Sequence, residues 1–199
     1  FLNSNKLQNS VSAPQLNTND DNDDDLDDDL QHQKPQREII VDVNARDSWG
    51  MTPLHLAADK MKKKSVKILF KSPYIDVNIK DKSGKTPVCY AVKTGNLKLI
   101  KIFLKNEKVD FSCQTKKGQT PLHIAVKMER IDIVKLMIEN KPELIYMRNN
   151  QNMSPFEMAV ERNTAEIAEI FHNYIIKKYE EKAAQMSQQS INEEAKINE

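Results

Sequence analysis

Apolar and polar positions in residues 118–140, "GQTPLHIAVKMERIDIVKLMIEN", predict two short helices. The apolar positions recur at helical spacing on either side of a polar break at 127–130: Leu122, Ala125 and Val126 before it, and Ile133, Val134, Met137 and Ile138 after it. Helices this short are not stable alone in water, so we expect them to pair and to stack on similar pairs.

The same pattern occurs four times along the chain, with a period of 34 residues. The stretches "GMTPLHLAA", "GKTPVCYAV", "GQTPLHIAV" and "NMSPFEMAV" begin at residues 50, 84, 118 and 152. In each, Thr or Ser before Pro begins a helix, because the hydroxyl can accept an unpaired N–H and Pro has none to leave unpaired. The Gly or Asn two residues earlier adopts positive φ readily. Each unit is therefore predicted to be a β-type turn followed by two antiparallel helices.

These units resemble the ankyrin repeat, whose turn, Thr-Pro-Leu-His and Ala signature they carry. The resemblance covers about residues 43–178 and implies an all-α solenoid of stacked helix-turn-helix units with β-type turns or hairpins between repeats. The second unit departs from the signature at Val88-Cys89, and the fourth at Ser154, Phe156 and Glu157. We call the units the first to fourth repeats, with boundaries at about 43–76, 77–110, 111–144 and 145–178.

The ends of the chain differ from the repeats. Residues 1–36 are poor in apolar residues and rich in Asn, Asp, Gln and Ser, so we expect a disordered acidic tail. The repeat domain then spans 37–178. In the fourth repeat, apolar positions at helical spacing continue past the repeat, which predicts one longer helix ending near residue 185. Residues 179–199 are thus a helical extension with a frayed tail at 190–199.

Four residues at equivalent repeat positions, His55, Cys89, His123 and Glu157, form a zinc-ligand set on paper. Neighbouring helices pack about 8–10 Å apart, whereas zinc bonds are about 2.0–2.3 Å, so these positions cannot converge on one ion. In the resembled family, the histidine braces neighbouring turns. We therefore predict no metal and no cofactor.

Other candidate chemistry is weak. The four glycines form no phosphate-binding loop, and Cys89 and Cys113 form no disulfide framework, which favours free thiols in a reducing compartment. The run "DDNDDDLDDDL" at 20–30 lacks the Gly and terminal Glu of an EF-hand loop. "KMKKK" at 60–64 is either a nuclear-import patch or a solvated loop. We predict no enzyme activity.

The resemblance implies that a protein partner binds the turn tips and the exposed side of the first helices, which line the concave face. Lysines dominate these positions in the middle repeats, and the only Trp of the chain lies at the first tip. The candidate partner-binding residues are Trp49, Met51, Lys60, Lys82, Lys85, Lys93, Lys116, Lys117, Lys127, Met128, Met153 and Arg162.

The formal net charge of +1 conceals an uneven distribution, because residues 1–36 carry −6 and the remainder carries +7. One hypothesis is that the acidic run at 20–30 lies transiently along the candidate lysines and competes with an acidic partner. The alternative is a solubilising tail that touches nothing.

The favoured function is a non-catalytic scaffold or adaptor that binds an acidic or phosphorylated protein segment. The alternative is the targeting or regulatory ankyrin domain of a larger enzyme, such as a kinase, phosphatase regulator or acyltransferase, since the chain has no initiator Met. Nucleic acid is a weaker candidate because no aromatic residues interleave the lysines. We expect a monomer with no membrane span, in the cytoplasm or the nucleus.

Overall fold

The computed structural model describes residues 42–197, with side chains through residue 188. Within that range the chain forms eight α-helices and one short 3-10 helix, and no residue lies in a β-strand. The α-helices are α1 (Pro53–Asp59), α2 (Lys63–Lys71), α3 (Pro87–Thr94), α4 (Leu97–Leu104), α5 (Pro121–Lys127), α6 (Ile131–Asn140), α7 (Pro155–Glu161) and α8 (Ala165–Ile197), and the 3-10 helix is Pro142–Tyr146. The predicted all-α fold is confirmed.

The helices stack in two rows. The first helices of the repeats, α1, α3, α5 and α7, pack side by side in one row, and α2, α4, α6 and α8 form the other. Each first helix also packs on the second helix of its own repeat. This stacking of helix pairs is the arrangement that the 34-residue period predicts.

One hydrophobic core runs through the stack between the two rows. All seven apolar residues that define the helical pattern of 118–140 are buried in it. Phe103 and Phe171 are its largest fully buried side chains, and Phe70 packs edge-on against Phe103 with ring centroids 5.2 Å apart. Because each repeat buries its apolar face against its neighbours, no repeat has a complete core alone.

Residue chemistry sets the helix boundaries. Thr120 accepts the amide of His123 at 3.4 Å, and Ser154 accepts the amide of Glu157 at 3.2 Å, so both hydroxyls cap a first helical turn. Helix α5 ends at Lys127 and α6 begins at Ile131, which confirms the predicted polar break.

Helix α8 is longer than the sequence pattern indicates. It extends to Ile197, past the predicted end near residue 185 and into the segment 190–199 that was expected to be frayed. That expectation is corrected. The stretch "EEKAAQMSQQ" at 180–189 consists of residues compatible with helix and contains neither Gly nor Pro, so intrinsic propensity continues the helix where the apolar pattern fades.

The acidic tail at 1–36 and its proposed contact with the lysines lie outside the described residues. Both stay predictions. Within residues 42–197, no helix combines the length and the apolar content that a membrane span requires.

Candidate partner-binding surface

Each repeat begins with a turn that one short polar side chain holds in shape. In the second repeat, the Asp81 Oδ1 atom accepts the amides of Ser83 at 2.7 Å and Lys85 at 2.9 Å. The amide of Gly84 donates to the Asp81 carbonyl at 2.9 Å. Asp47, Thr115 and Asn149 play the same part in the other repeats.

The predicted positive φ values are present at the fourth turn position. Gly50, Gly84 and Gly118 have φ of 77°, 79° and 71°, and Asn152 has φ of 59°. At Gly84 a Cβ atom would also lie 2.6 Å from the Lys116 amide nitrogen of the next tip. Glycine therefore meets two requirements here: it adopts positive φ without strain, and its lack of a Cβ atom lets the next tip approach closely.

Backbone hydrogen bonds join successive tips. The Lys82 amide donates to the Trp49 carbonyl at 2.9 Å, and the Lys116 amide donates to the Ser83 carbonyl at 3.1 Å. The Asn150 amide donates to the Lys117 carbonyl at 3.2 Å. Because backbone atoms make these bonds, the tip side chains are not needed to join the turns. Four of them are exposed: Trp49, Lys82, Lys116 and Lys117.

The two repeat histidines are fully buried. They join the first repeat to the second and the third repeat to the fourth. The Nε2 atom of His55 lies 3.0 Å from the Lys85 carbonyl oxygen, and that of His123 lies 3.0 Å from the Met153 carbonyl oxygen. Their Nδ1 atoms accept the amides of Thr52 at 3.0 Å and Thr120 at 3.2 Å. Both ring nitrogens of each histidine are therefore occupied, which supports the bracing role implied by the resemblance.

These partners fix the protonation state of both rings. A backbone amide can only donate and a carbonyl can only accept, so each ring is neutral with its proton on Nε2. Burial lowers the pKa of His55 and of His123 below the ordinary value of 6.5, and the hydrogen bonds to the carbonyl oxygens only partly oppose this. The braces therefore act through neutral imidazole.

The second and fourth repeats place other residues at the histidine position. Cys89 is buried, and its sulfur lies 3.5 Å from the Thr86 hydroxyl of its own repeat. Burial raises the pKa of the Cys89 thiol, so the group stays neutral. Glu157 accepts the Ser154 amide at 2.7 Å and forms a two-pronged ion pair with Arg148 at 2.9 and 3.0 Å.

Two lysines flank an aromatic ring on helix α3. The Nζ atoms of Lys85 and Lys93 lie 5.5 and 5.9 Å from the centroid of the Tyr90 ring. The Tyr90 hydroxyl donates to the Asp81 Oδ2 atom at 2.6 Å, and the His55 ring packs edge-on against Tyr90. We call Lys85, Tyr90 and Lys93 the Tyr90 cluster.

The hydrogen bonds that Asp81 accepts stabilise its ionised carboxylate. Burial alone would raise the pKa of Asp81, but the hydrogen bonds from Tyr90, Ser83 and Lys85 outweigh it and lower the pKa. Burial and the bond to Asp81 raise the pKa of Tyr90, so its hydroxyl remains a donor. In the Tyr90 cluster, a ring whose hydroxyl is bound to Asp81 thus has two ammonium groups within 6 Å of its centroid.

None of the twelve candidate partner-binding residues is buried. Trp49 is 69% exposed, which confirms its expected exposure at the first tip, while Met51, Lys85 and Met153 are half-buried. Lys60 caps α1, Met128 caps α5, and Arg162 caps α7 and donates to the Lys127 carbonyl at 3.4 Å. The structure brings only Lys85 and Lys93 together on one ring, and a binding role for the twelve residues stays a prediction.

Two residues of this surface were missed by the sequence reasoning. Tyr90 and Leu56 occupy one repeat position, 34 residues apart, with Ile124 and Met158 at the equivalent places. Leu56 is 43% exposed and Tyr90 is half-buried, whereas Ile124 and Met158 are buried. The periodic alignment could have identified the position, but its varying exposure depends on how the helices pack.

A family model described as ankyrin repeats (3 copies) matches residues 30–112 and 95–182. No curated protein matches the chain. The matched ranges include all four turns and every helix from α1 to α7, and they agree with the stacked helix pairs and histidine braces described above. The chain therefore belongs to the ankyrin-repeat family, whose members are protein-interaction modules and are typically non-catalytic.

Proposed function

We propose that this chain is a non-catalytic interaction module that binds an acidic or phosphorylated protein segment along the turn tips and first helices. The observation that carries the proposal is the Tyr90 cluster, in which two ammonium groups lie 5.5 and 5.9 Å from the centroid of one ring on a first helix. The module acts as a monomer, in the cytoplasm or the nucleus.

The lysines of this surface are available to a ligand. In the part of the chain that the structure describes, no acidic side chain lies within salt-bridge distance of the lysines of the second-repeat and third-repeat surface, Lys82, Lys85, Lys93, Lys116, Lys117 and Lys127. A carboxylate or phosphate group could therefore contact them without displacing an acidic side chain of residues 42–188.

The acids nearest to the Tyr90 cluster are engaged. Both carboxylate oxygens of Asp81 accept hydrogen bonds from its own turn and from Tyr90. Asp59 lies 3.7 Å from Lys60 in the first repeat. These contacts leave Lys85 and Lys93 as the cations that an acidic segment meets at the centre of the surface, with an aromatic ring between them for packing.

The test is the affinity of the full chain for a labelled acidic peptide that contains phosphoserine. Charge reversal by Lys85→Glu with Lys93→Glu is expected to weaken binding about tenfold, because two attractive contacts with the peptide are replaced by repulsive ones. The effect should decrease at high salt, where exposed charges are screened.

A matched control reverses the two exposed lysines Lys98 and Lys101 on helix α4. That variant has the same net charge but lies in the other row of helices, so its affinity should stay within about twofold of the parent. Equal loss in the two variants would mean that only net charge attracts the peptide, and the proposed surface would then be wrong.

A further inference from the structure

The most basic segment of the repeat domain lies away from the Tyr90 cluster, on helix α2 and its flanks. Residues 60–75, "KMKKKSVKILFKSPYI", contain six lysines and no acidic residue. We call this segment the α2 face. It includes the "KMKKK" run for which the sequence offers an import patch or a solvated loop.

Helix geometry places an exposed aliphatic residue among these lysines. Val66 is fully buried, and Ile68, two residues later, points away from the core and is 68% exposed. Lys64 and Lys71 lie four residues before and three after Ile68, so all three share one side of the helix. Ile68 is the most exposed Ile, Leu or Val among the described large hydrophobic residues.

Two more exposed apolar residues border the helix. Met61 precedes α2 and is 49% exposed, and Tyr74 follows it and is 82% exposed. Both lie in the same sixteen-residue segment as the lysines. The α2 face therefore combines a dense positive charge with apolar side chains that the protein leaves in water.

We propose that the α2 face docks the protein on an anionic lipid bilayer. Clusters of roughly four to eight lysines on one helix attract acidic headgroups, and exposed aliphatic and aromatic side chains insert at the boundary between headgroups and acyl chains. The exposed side of α2, with Lys64, Ile68 and Lys71, needs no complementary groove on its partner, which fits a bilayer surface better than a folded protein. This contact is peripheral and independent of the Tyr90 cluster.

The test measures sedimentation of the full chain with phosphatidylserine–phosphatidylcholine vesicles, against vesicles of phosphatidylcholine alone. The chain should bind the anionic vesicles and release at high salt, and it should not bind the neutral ones. No binding to anionic vesicles at low salt overturns the proposal. Binding to polyglutamate through the same lysines without vesicle binding would assign the face to an acidic protein instead.

Charge reversal locates the contact. Lys64→Glu, Lys67→Glu and Lys71→Glu together should weaken vesicle binding by at least about tenfold. The matched control reverses three exposed lysines of α4 and its cap, Lys98, Lys101 and Lys105. An equal loss in the control would show diffuse attraction by net charge and would contradict the proposal.

Ile68→Ser tests insertion. Removing this side chain should weaken vesicle binding about tenfold. The control Val160→Ser removes another exposed aliphatic group, on α7, and should leave binding unchanged. Thermal unfolding of all variants should match the parent because every substituted residue is exposed. An Ile68→Ser protein that is folded and binds as well as the parent would overturn insertion and, with it, the proposed bilayer contact.

Discussion

The first and third repeats differ from the second at one helix position, and the difference decides how a repeat holds its neighbour. His55 and His123 reach a carbonyl oxygen of the following repeat at 3.0 Å. The sulfur of Cys89, at the equivalent position, instead lies 3.5 Å from the Thr86 hydroxyl of its own repeat. The 34-residue period therefore determines the position of a residue within its repeat. The type of side chain at that position determines whether it bonds to the next repeat.

The junction between the second and third repeats relies on more exposed hydrogen bonds. The amide of the exposed residue Lys116 donates to the carbonyl of the exposed residue Ser83 at 3.1 Å. Arg130 donates to the Lys93 carbonyl at 3.2 Å. Water competes for the groups in an exposed hydrogen bond, so breaking it lowers the free energy of unfolding less than breaking a buried one. The buried braces therefore strengthen the outer junctions, whereas the second repeat carries the Tyr90 cluster on its surface.

His123→Ala should produce the largest loss of stability. The substitution leaves the Met153 carbonyl without its side-chain donor and opens a cavity where the ring was fully buried. We expect a decrease of about 3 kcal/mol in the free energy of unfolding, measured by urea denaturation. The control His172→Ala alters an exposed histidine and should cost less than about 0.5 kcal/mol. Similar losses in the two variants would contradict the brace.

Lowering the pH should weaken the same junctions. The folded protein holds the pKa of His55 and His123 below 6.5, so below that pH the unfolded chain binds more protons and stability decreases. Each histidine contributes at most roughly 1.4 kcal/mol per pH unit, and the loss of stability is concentrated between the unfolded pKa of about 6.5 and about pH 5.5.

The pH effect can be separated from other titrations. A double variant with Gln at positions 55 and 123 should show a flatter stability profile over that range. Asp81 and Asp110 do not interfere, because their pKa values are lowered from 3.8 and their stabilising effect is lost only at more acidic pH. A parent protein whose stability is constant across the range would refute the neutral, buried assignment of the rings.

Cys89→His should add the brace that the second repeat lacks. By register, the new Nε2 atom would face the Gln119 carbonyl, which accepts the Thr115 amide at 3.0 Å. We expect a gain of about 1 kcal/mol in the free energy of unfolding, the value of one additional buried hydrogen bond. Cys89→Ala serves as the control for losing the thiol. A lower stability for the histidine variant than for the alanine variant would mean that this junction cannot accommodate the ring.

Much of this comparison is accessible from the sequence. The period of 34 places His55, Cys89, His123 and Glu157 at one repeat position, and the Thr-Pro steps give the helix starts. The sequence does not reveal that Glu157 turns to Arg148 or that Tyr90 lies between two lysines, because these contacts depend on side-chain directions across repeats. The full length of α8 was missed because intrinsic propensity extends it without an apolar pattern.

Trp49→Ala should have the smallest effect on stability. The ring is 69% exposed at the first tip, so we expect a change within about 0.5 kcal/mol in urea denaturation. If the tip contacts the partner, the same variant should lose more than about 1 kcal/mol of binding to an acidic peptide. A large loss of stability would mean that the ring packs within the protein. Unchanged binding would show that Trp49 is not a partner-binding residue.

The most direct test of the partner-binding surface is amide NMR of the full chain during titration with the acidic phosphoserine peptide. The account predicts that the largest shifts occur in residues 82–94 and 116–128, where the Tyr90 cluster and the middle tips lie, and that these shifts fade as salt is added. The account would be contradicted if the largest shifts occurred on helices α2 and α4, or if the shifts did not change with salt concentration.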